Sequence, residues 1–420
     1  MKTYGSFARV GLEEDMSAYP NLRHIRLFAH AAEAGSLSRA ADAVRVSQPA
    51  ASQAIAGLEK HFGGDLFERR GSGVFATPRG QVVAARAARL IGMLRAGNAR
   101  LARQARTGRV SAQSLLETHA TIAHLRAIAA FARFGSFSAA ARQMGQAEPS
   151  VHRAARELER IGGVPLFDGR QQAVRLTQAG RTLASTAGLI LRELESAAEE
   201  VRELDGRFDG RVAIGTLPLV RTTVIPDAVA DCTRARPGAS IEILDGPYES
   251  LLQSLMIGEI DMLAGALRED AAQRGLTQEV LFHDSLSVVA RAGHPLVAAA
   301  GASHADLAAY PWVLPRSGTP TRALFDAIAS ANGFGLSPGG GVVETGSLVA
   351  LRGILLASDR LTLLSRRQIA YEERSGLLGL VNVALPPTRR PIGVTMRAGW
   401  KPTTLQAEFL AALRRAAVVG

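Results

Sequence analysis

Between His24 and Ala34, apolar side chains stand at Ile25, Leu27, Phe28, Ala31 and Ala32, a spacing that gives a helix one buried face. Gly35 ends that helix where a left-handed residue is easiest for glycine. Ser36 or Ser38 caps a second short helix, Leu37 to Val44, in which Ala40 and Ala41 allow close packing. Ser47 caps a third helix with Pro49 in its first turn, where the missing amide hydrogen costs nothing. That helix turns Ile55, Leu58 and Phe62 inward and leaves Gln48, Pro49, Ser52, Gln53 and Ala56 outward. Leu66 to Arg70, a Gly71-Ser72-Gly73 turn and Val74 to Thr77 then read as a two-stranded wing. Three helices and a wing predict a winged helix-turn-helix, whose third helix fits the major groove of duplex DNA.

The pattern returns one hundred residues later. Segments 22–80 and 122–180 align without a gap and share twenty identical positions, among them Gly35/Gly135, Ser36/Ser136, Pro49/Pro149, Phe67/Phe167 and Gly80/Gly180. Glycines and apolar positions held in register mark a duplicated fold. The copies differ at the recognition helix. The first opens Ser47-Gln48-Pro49, and a glutamine can pair bidentately with adenine. The second opens Ala147-Glu148-Pro149, without the cap hydroxyl and with a carboxylate nearest the DNA, although His152, Arg153 and Arg156 restore positive charge. Two readings follow: a second reader of different specificity, or a duplicated domain kept for dimerisation or packing. The lost cap, the acid and the smaller net charge favour the latter.

Each copy continues into a long helix. Leu183, Ala187, Ile190, Leu194, Ala197, Val201 and Leu204 alternate spacings of four and three, the seam of a two-stranded coiled coil. Val83, Ala87, Leu90, Leu94, Gly97 and Leu101 hold the same register in the first copy, but Gly92 and Gly97 lower helix propensity and weaken that seam. Arg86, Arg89, Arg95, Arg100, Arg103, Arg106 and Arg109 occur with no acid between them, whereas Glu193, Glu195, Glu199, Glu200, Glu203 and Asp205 crowd the second helix. The expectation is that the second helix dimerises the protein, while the first tracks DNA phosphates or pairs with the acidic helix. An ordinary solvated face is the alternative for the arginines.

From Gly210 the character changes to strands alternating with helices: Arg211–Thr216, Val224–Ala235, Ile241–Leu244, Leu251–Met256 and Ile260–Ala264. A second set follows at Ser285–Ala290, Trp312–Leu314, Arg322–Asn332, Gly346–Leu356 and Leu361–Ser365, before a return through Pro391–Arg397 and a closing helix, Thr404–Ala417. The alternation predicts parallel sheet covered on both faces, in two lobes joined by crossing strands around a ligand cleft. Thr216, Leu217 and Pro218 at a strand end, Ser317, Gly318 and Thr319 before one helix, and Thr345 and Ser347 before another are the candidate effector contacts, suited to a carboxylate or other small anion. Plain helix capping is the alternative. Arg221 and Arg322 are candidate countercharges, and Cys232, on an apolar helix face, reads as inert.

The formal charge of +11 is concentrated: residues 1–120 carry 17 basic and 9 acidic side chains, against 12 and 10 in 121–208 and 20 and 19 in the remainder. The excess lies with the first reader, as a phosphate-contacting surface requires. No run of about 18 apolar residues could span a membrane, and residues 1–20, with Glu13, Glu14 and Asp15, do not read as a secretory signal. A single cysteine excludes an internal disulfide. No GxxxxGK, HExxH, GxSxG or CxxC motif is present and the nine histidines lack ligand spacing, so neither an enzyme nor a metal or cofactor site is expected.

The run FAHAAEAGSLSRAADAVRVSQPAASQAIAGLEKHFGGDLFERR, followed by TPRG, resembles the reader of the LysR-type transcriptional regulators. GEIDMLAGA, GHPL, LAAYPWVLPRSGTPTR and FLAALRR resemble, more loosely, that family's effector-binding domain, itself like a periplasmic binding protein; Ser358-Asp359-Arg360 departs from the glycine-rich turn of many relatives. The resemblance implies a multidomain chain: two winged helix-turn-helix domains with linker helices, mainly α, followed by a two-lobed α/β domain. The expected map is a disordered segment 1–20, a reader at 21–80, a linker helix at 81–109, a connector at 110–120, a second winged domain at 121–180, a dimerisation helix at 181–206 and an effector domain at 210–420. Its lobe I comprises about 210–266 and 391–420, and lobe II about 267–390. DNA contacts are expected from Ser36, Ser38, Ser47, Gln48, Pro49, Ser52, Gln53, Arg69 and Arg70, with His152, Arg153 and Arg156 as a second set. The implied protein is a cytoplasmic homodimer or homotetramer on a dyad-symmetric promoter site, answering a small-molecule effector and recruiting RNA polymerase. A ligand-independent architectural or repressor dimer, its α/β part serving oligomerisation only, is the alternative.

Overall fold

The computed structural model describes residues 19–70, 73–104, 115–169, 174–334 and 342–419; the expected disordered segment lies outside these up to position 18. Three helices, α1 (Leu22–Ala34), α2 (Leu37–Val44) and α3 (Gln48–Phe62), come first. Asn21, Ser36 and Ser47 accept from free amides at their starts, and Gly35 (φ 63°) and Gly63 (φ 75°) end α1 and α3 in the left-handed region. The wing pairs β1 (Phe67–Arg70) antiparallel with β2 (Gly73–Ala76), and α4 (Pro78–Gln104) follows. After a short α5 (Leu115–His119), the second copy repeats the order as α6 (Ile122–Phe134), α7 (Phe137–Gln143), α8 (Glu148–Gly162), β3 (Phe167–Asp168), β4 (Arg175–Leu176) and α9 (Gln178–Leu204). A Cβ at Gly80 would lie 2.0 Å from the Leu66 carbonyl oxygen, and one at Gly180 2.1 Å from that of Leu166. Both copies keep glycine there because the long helix starts against the backbone leading into the wing.

The long helices pack against each other within one chain. Arg79 meets Asp205, Arg86 meets Glu200 and Glu193, Arg89 meets Glu193, and Gly97 faces Thr186, so α4 and α9 run antiparallel. Leu90 and Leu94 of α4 and Leu183, Ala187, Ile190, Leu194 and Val201 of α9 are buried in one core shared by both winged domains. Within the chain the α9 seam is covered by α4, the pairing with the acidic helix that is one of the two readings of the arginine-rich helix. Two physical reasons agree. Tethering gives the two helices a high effective concentration, and an arginine-rich helix complements a glutamate-rich one, whereas two copies of α9 would repel. Of the arginine run, Arg86 and Arg89 serve this pairing, Arg95 pairs with Glu117, Arg100 and Arg103 are exposed, and Arg106 and Arg109 fall outside the described residues. α4 also passes unbroken through Gly92 and Gly97, and the latter sits close against Thr186, where a Cβ would be 3.0 Å from its methyl group.

The α/β part consists of β5 (Arg211–Thr216), α10 (Val224–Ala235), β6 (Ser240–Asp245), α11 (Tyr248–Met256), β7 (Met262–Ala266), β8 (Leu276–Asp284), β9 (Leu286–Arg291), α12 (Pro295–Ala298), α13 (His304–Ala308), β10 (Val313–Leu314), α14 (Pro320–Asn332), β11 (Val343–Glu344), α15 (Leu348–Leu356), β12 (Thr362–Ser365), α16 (Ala370–Arg374), β13 (Leu378–Leu380), β14 (Arg390–Arg397) and α17 (Thr404–Val419). Lobe I holds a sheet in the order β6-β5-β7-β14-β8, and lobe II a sheet in the order β12-β9-β13 beside the pair β10-β11. Two expectations change. The lobe I sheet is mixed, because β14 returns antiparallel between β7 and β8. Residues 276–284 also belong to lobe I, since β8 pairs along its length with β14, and the chain crosses between lobes at Asp284–Leu286. No helix among the described residues is long and apolar enough to cross a membrane.

A buried ionic network fastens lobe I to the long helices. Arg192 on α9 contacts Glu199 at 2.7 Å and Asp261 at 3.1 Å and donates to the Arg211 carbonyl at 3.1 Å, while Asp261 accepts from the Ala213 amide. Burial opposes the Arg192 charge, but Asp261, Glu199 and Glu195 hold its pKa well above the usual arginine value. Ser185 donates to the Met256 carbonyl, Arg133 pairs with Glu259, and Arg86 and Arg89 reach the carbonyls of Lys401 and Gly399.

Histidines in the winged domains make this assembly acid-sensitive. Burial pushes His24, His61 and His124 below the ordinary histidine value, aided at His24 by Arg23. His124 Nδ1 also accepts from the Thr121 amide, a bond that protonation removes. The unfolded chain therefore binds more protons, so the stability these groups contribute is present above about pH 6.5 and lost as pH falls toward the lowered folded values. The melting midpoint is expected to fall on acidification through that window, and the triple variant H24Q/H61Q/H124Q to flatten the fall. An equal slope in the variant would exclude these groups as its cause.

Candidate nucleic-acid interface and effector cleft

The recognition surface of the first head is built from local rules. Ser47 accepts from the Ala50 amide at 3.4 Å, which fixes the start of α3 and leaves Gln48 and Pro49 exposed on its first turn. One turn on, Gln53 is exposed and Ser52 half-buried, while Ala51, Ala54, Ile55 and Leu58 face the core. Ser36 caps α2 through the Arg39 amide, and Ser38 is exposed on the first turn of α2 beside it. In the wing, Arg70 is exposed, pairs with Glu68 at 2.8 Å and lies over the Phe75 ring; the Arg69 side chain lies outside the described residues. Sequence reasoning passed over Arg45. It ends α2 at φ 56°, a left-handed conformation that disfavours any side chain, whereas the second copy has Gly145 (φ 61°) there. Strain of this kind tends to mark functional positions, and Arg45 is exposed next to α3.

The second head keeps the architecture and changes the chemistry. Ala147 makes no side-chain cap, as its sequence predicts, yet α8 forms over the same length with Pro149 in its first turn. Glu148, Pro149, Ser150, His152 and Arg153 are exposed along its outer face. Arg156, its side chain 40% exposed, pairs with Glu159 at 2.8 Å and lies 5.2 Å over the Phe167 ring. The wing is shorter, with two residues in each strand.

In the α/β part, the predicted contacts fall into two groups. Thr216, at the end of β5, is fully buried; its hydroxyl donates to the Leu244 carbonyl at 3.2 Å and accepts from Arg221 at 3.1 Å. The Leu217 amide donates to the Ala264 carbonyl, and Pro218 opens a single 3-10 turn. Arg221 is thereby committed to Thr216 and Asp245, and burial lowers its pKa. In lobe II, the adjacent parallel strands β10 and β11 bring the other group together. Thr319 caps α14 through the Arg322 amide, Ser347 caps α15 through the Ala350 amide, and Thr345 accepts from the Ser347 amide. Capping thus accounts for these hydroxyls as acceptors, while Ser317, Gly318 and Ser347 remain exposed at the starts of two helices on one sheet edge. Arg322 is bound to Asp326 and Glu344. Cys232 is buried, and burial raises its thiol pKa.

Where the strands cross between lobes lies a cluster that sequence reasoning missed. Ser365 donates to one Asp284 oxygen at 2.6 Å, Arg390 stands 3.8 Å from the other, and Arg390 also donates to the Thr321 hydroxyl at 3.0 Å on the first turn of α14. Burial pushes the Asp284 carboxyl above the usual range. Among the described residues, that second Asp284 oxygen and the Arg390 Nε have no hydrogen-bond partner. Isolated polar residues beside apolar strands gave no signal from which to find it.

Residues 205–418 match the family model described as LysR substrate binding domain. The model described as bacterial regulatory helix-turn-helix protein, lysR family, matches twice, at 22–81 and 122–181. HTH-type transcriptional regulator GalR of Pseudomonas putida is 32% identical over 399 residues, 94% of this chain and 97% of that protein, an extent that takes in both copies. HTH-type transcriptional regulator PcaQ of Agrobacterium fabrum is 28% identical over 278 residues, 66% of this chain and 89% of its own. Among solved structures, a full-length OxyR variant from Pseudomonas aeruginosa has a TM-score of 0.54 at 22% identity, covering 71% of this chain and 95% of that one. Full-length LysG from Corynebacterium glutamicum with bound effector arginine has a TM-score of 0.50 at 19% identity, covering 71% and 98%.

Proposed function

This chain belongs to the LysR family of bacterial transcriptional regulators, and from that premise we propose how it reads DNA and what it answers to. Helix α3 lies in the major groove with Gln48, Ser52 and Gln53 at base edges, while Ser36, Ser38, Ser47, Pro49, Arg69 and Arg70 hold the flanking backbone. A small anionic metabolite, a carboxylate first of all, binds between the lobes, against Leu217 and Pro218 beside the buried Thr216 on one side and Ser317, Gly318, Thr319, Thr345 and Ser347 on the other. The effector arginine bound in the LysG structure, although a net cation, carries an α-carboxylate. Closure of the lobes moves the heads, alters promoter bending and changes contact with RNA polymerase. Copies associate as a homodimer or homotetramer, inside the cell where promoter DNA is. Because the seams of α4 and α9 are already filled, that association uses other surfaces.

One observation carries this reading: α3 is capped and packed through one face only, leaving Gln48, Pro49 and Gln53 exposed. The test is selection of random duplexes by the full-length protein, followed by footprinting with and without a panel of small carboxylates. Gln53→Ala is expected to weaken binding to the selected duplex about tenfold, within the range for one lost base contact. A carboxylate of the panel is expected to change the footprint length. Failure of the wild-type protein to enrich any sequence would overturn the reading.

A further inference from the structure

The antiparallel pairing of α4 with α9 places two winged domains in one polypeptide, each with one face of its recognition helix exposed. The faces that pack are not the faces that would read. α6 and α9 bury the second head through Leu125, Ile128, Leu183 and Ile190, and α8 packs inward through Val151, Ala155 and Leu158. Its outer face, Glu148, Pro149, Ser150, His152 and Arg153, is exposed among the described residues, with the His152 ring edge-on to Phe137 of α7 at 4.8 Å. A domain kept only for packing has no use for that face, nor for a third helix held at the same length and entry as α3. The two outer faces are chemically unlike at matching positions: Gln48 against Glu148, Ser52 against His152, Gln53 against Arg153.

We infer that one chain is a complete two-headed reader, and that it recognises a bipartite, non-palindromic duplex whose half-sites differ in sequence. This rests on the reading of α3 as a base-contacting helix and extends it to α8. Gln48 and Gln53 favour adenine in the first half-site, because an amide matches its donor and acceptor pair. Glu148 can only accept, which suits the cytosine amino group, and Arg153 suits guanine or a phosphate beside it. Arg156, held by Glu159 and Phe167, takes no part. The missing cap at Ala147 lowers the stability of the α8 start without removing its exposed face. A symmetric dimer of identical heads, expected from the family's usual organisation, would require palindromic half-sites; two unequal heads on one chain require the reverse.

The test uses the full-length chain and a random duplex library of roughly 40 base pairs, long enough for half-sites one or more helical turns apart. Wild-type protein is expected to select two unlike half-sites at fixed spacing, the two heads of one chain occupying one pair whether or not a second chain is associated with it. Arg153→Ala should flatten base preference in one half-site and weaken binding about tenfold, while Gln53→Ala does the same only in the other. Glu148→Gln should shift one position from cytosine to adenine, a change of specificity that misfolding cannot imitate. Identical half-sites within the pair, or a consensus untouched by Arg153→Ala and Glu148→Gln, would overturn the inference while leaving the regulator intact. Enrichment of no sequence at all would instead remove the DNA-reading proposal on which it stands.

Discussion

Replacing Arg192 by methionine is expected to destabilise the junction between α9 and lobe I by about 3–5 kcal/mol, the usual cost of removing one partner from a buried ion pair. Arg192 is 6% exposed and its partners Asp261 and Glu199 are 1% and 6% exposed, so the two carboxylates would face each other without solvent to screen them. Asp261 keeps its bond from the Ala213 amide, which cannot replace a full positive charge. The effect reads out as a lower urea midpoint for the α/β part and faster proteolysis near Gly206–Gly210. The triple variant R192M/E199Q/D261N should recover most of the loss, since neutral groups leave no buried charge behind. A single R192M variant as stable as wild type would show that the network carries no electrostatic load. On the proposal that lobe closure moves the heads, this junction is the contact it would act through, so R192M should also uncouple effector addition from footprint length.

The second large effect is steric. A methyl group at residue 80 would sit 2.0 Å from the Leu66 carbonyl oxygen, well inside contact distance, and the atom it meets is backbone. Gly80→Ala must therefore push the start of α4 away from the wing, at about 3 kcal/mol or more, the upper part of the range for overpacking. Gly180→Ala does the same against Leu166 in the second head. Each should lower the melting midpoint by a similar amount, but G80A should degrade the adenine-favouring half-site and G180A the other. Equal midpoints for G80A and wild type would mean that the helix start can shift freely.

The parts of the molecule legible in the sequence are those governed by neighbours along the chain. The starts of α2, α3, α14 and α15 were visible because Ser36, Ser47, Thr319 and Ser347 each cap an amide within three residues. The outward face of α3 followed from a helical period acting on Gln48, Ser52 and Gln53. Less could be seen of the cleft. Thr216 read as an available hydroxyl until Arg221 and the Leu244 carbonyl were found to occupy it. The Asp284–Ser365–Arg390 cluster joins residues about a hundred apart, and no local rule links them.

From the sequence alone came the duplication, the capped starts of the winged-domain helices, the apolar stripe on each long helix and the unlike chemistry of the two recognition faces. A heptad seam states that a face must be covered, not by which helix. Only the tertiary structure decided that α4 covers α9 within one chain, that β8 completes the first sheet through a strand over a hundred residues later, and that the buried Arg192, with Arg86, Arg89, Arg133 and Ser185, joins the reading and sensing halves. Those choices depend on which surfaces are complementary across space. Pattern along the chain records the need for burial and pairing; geometry alone names the partner.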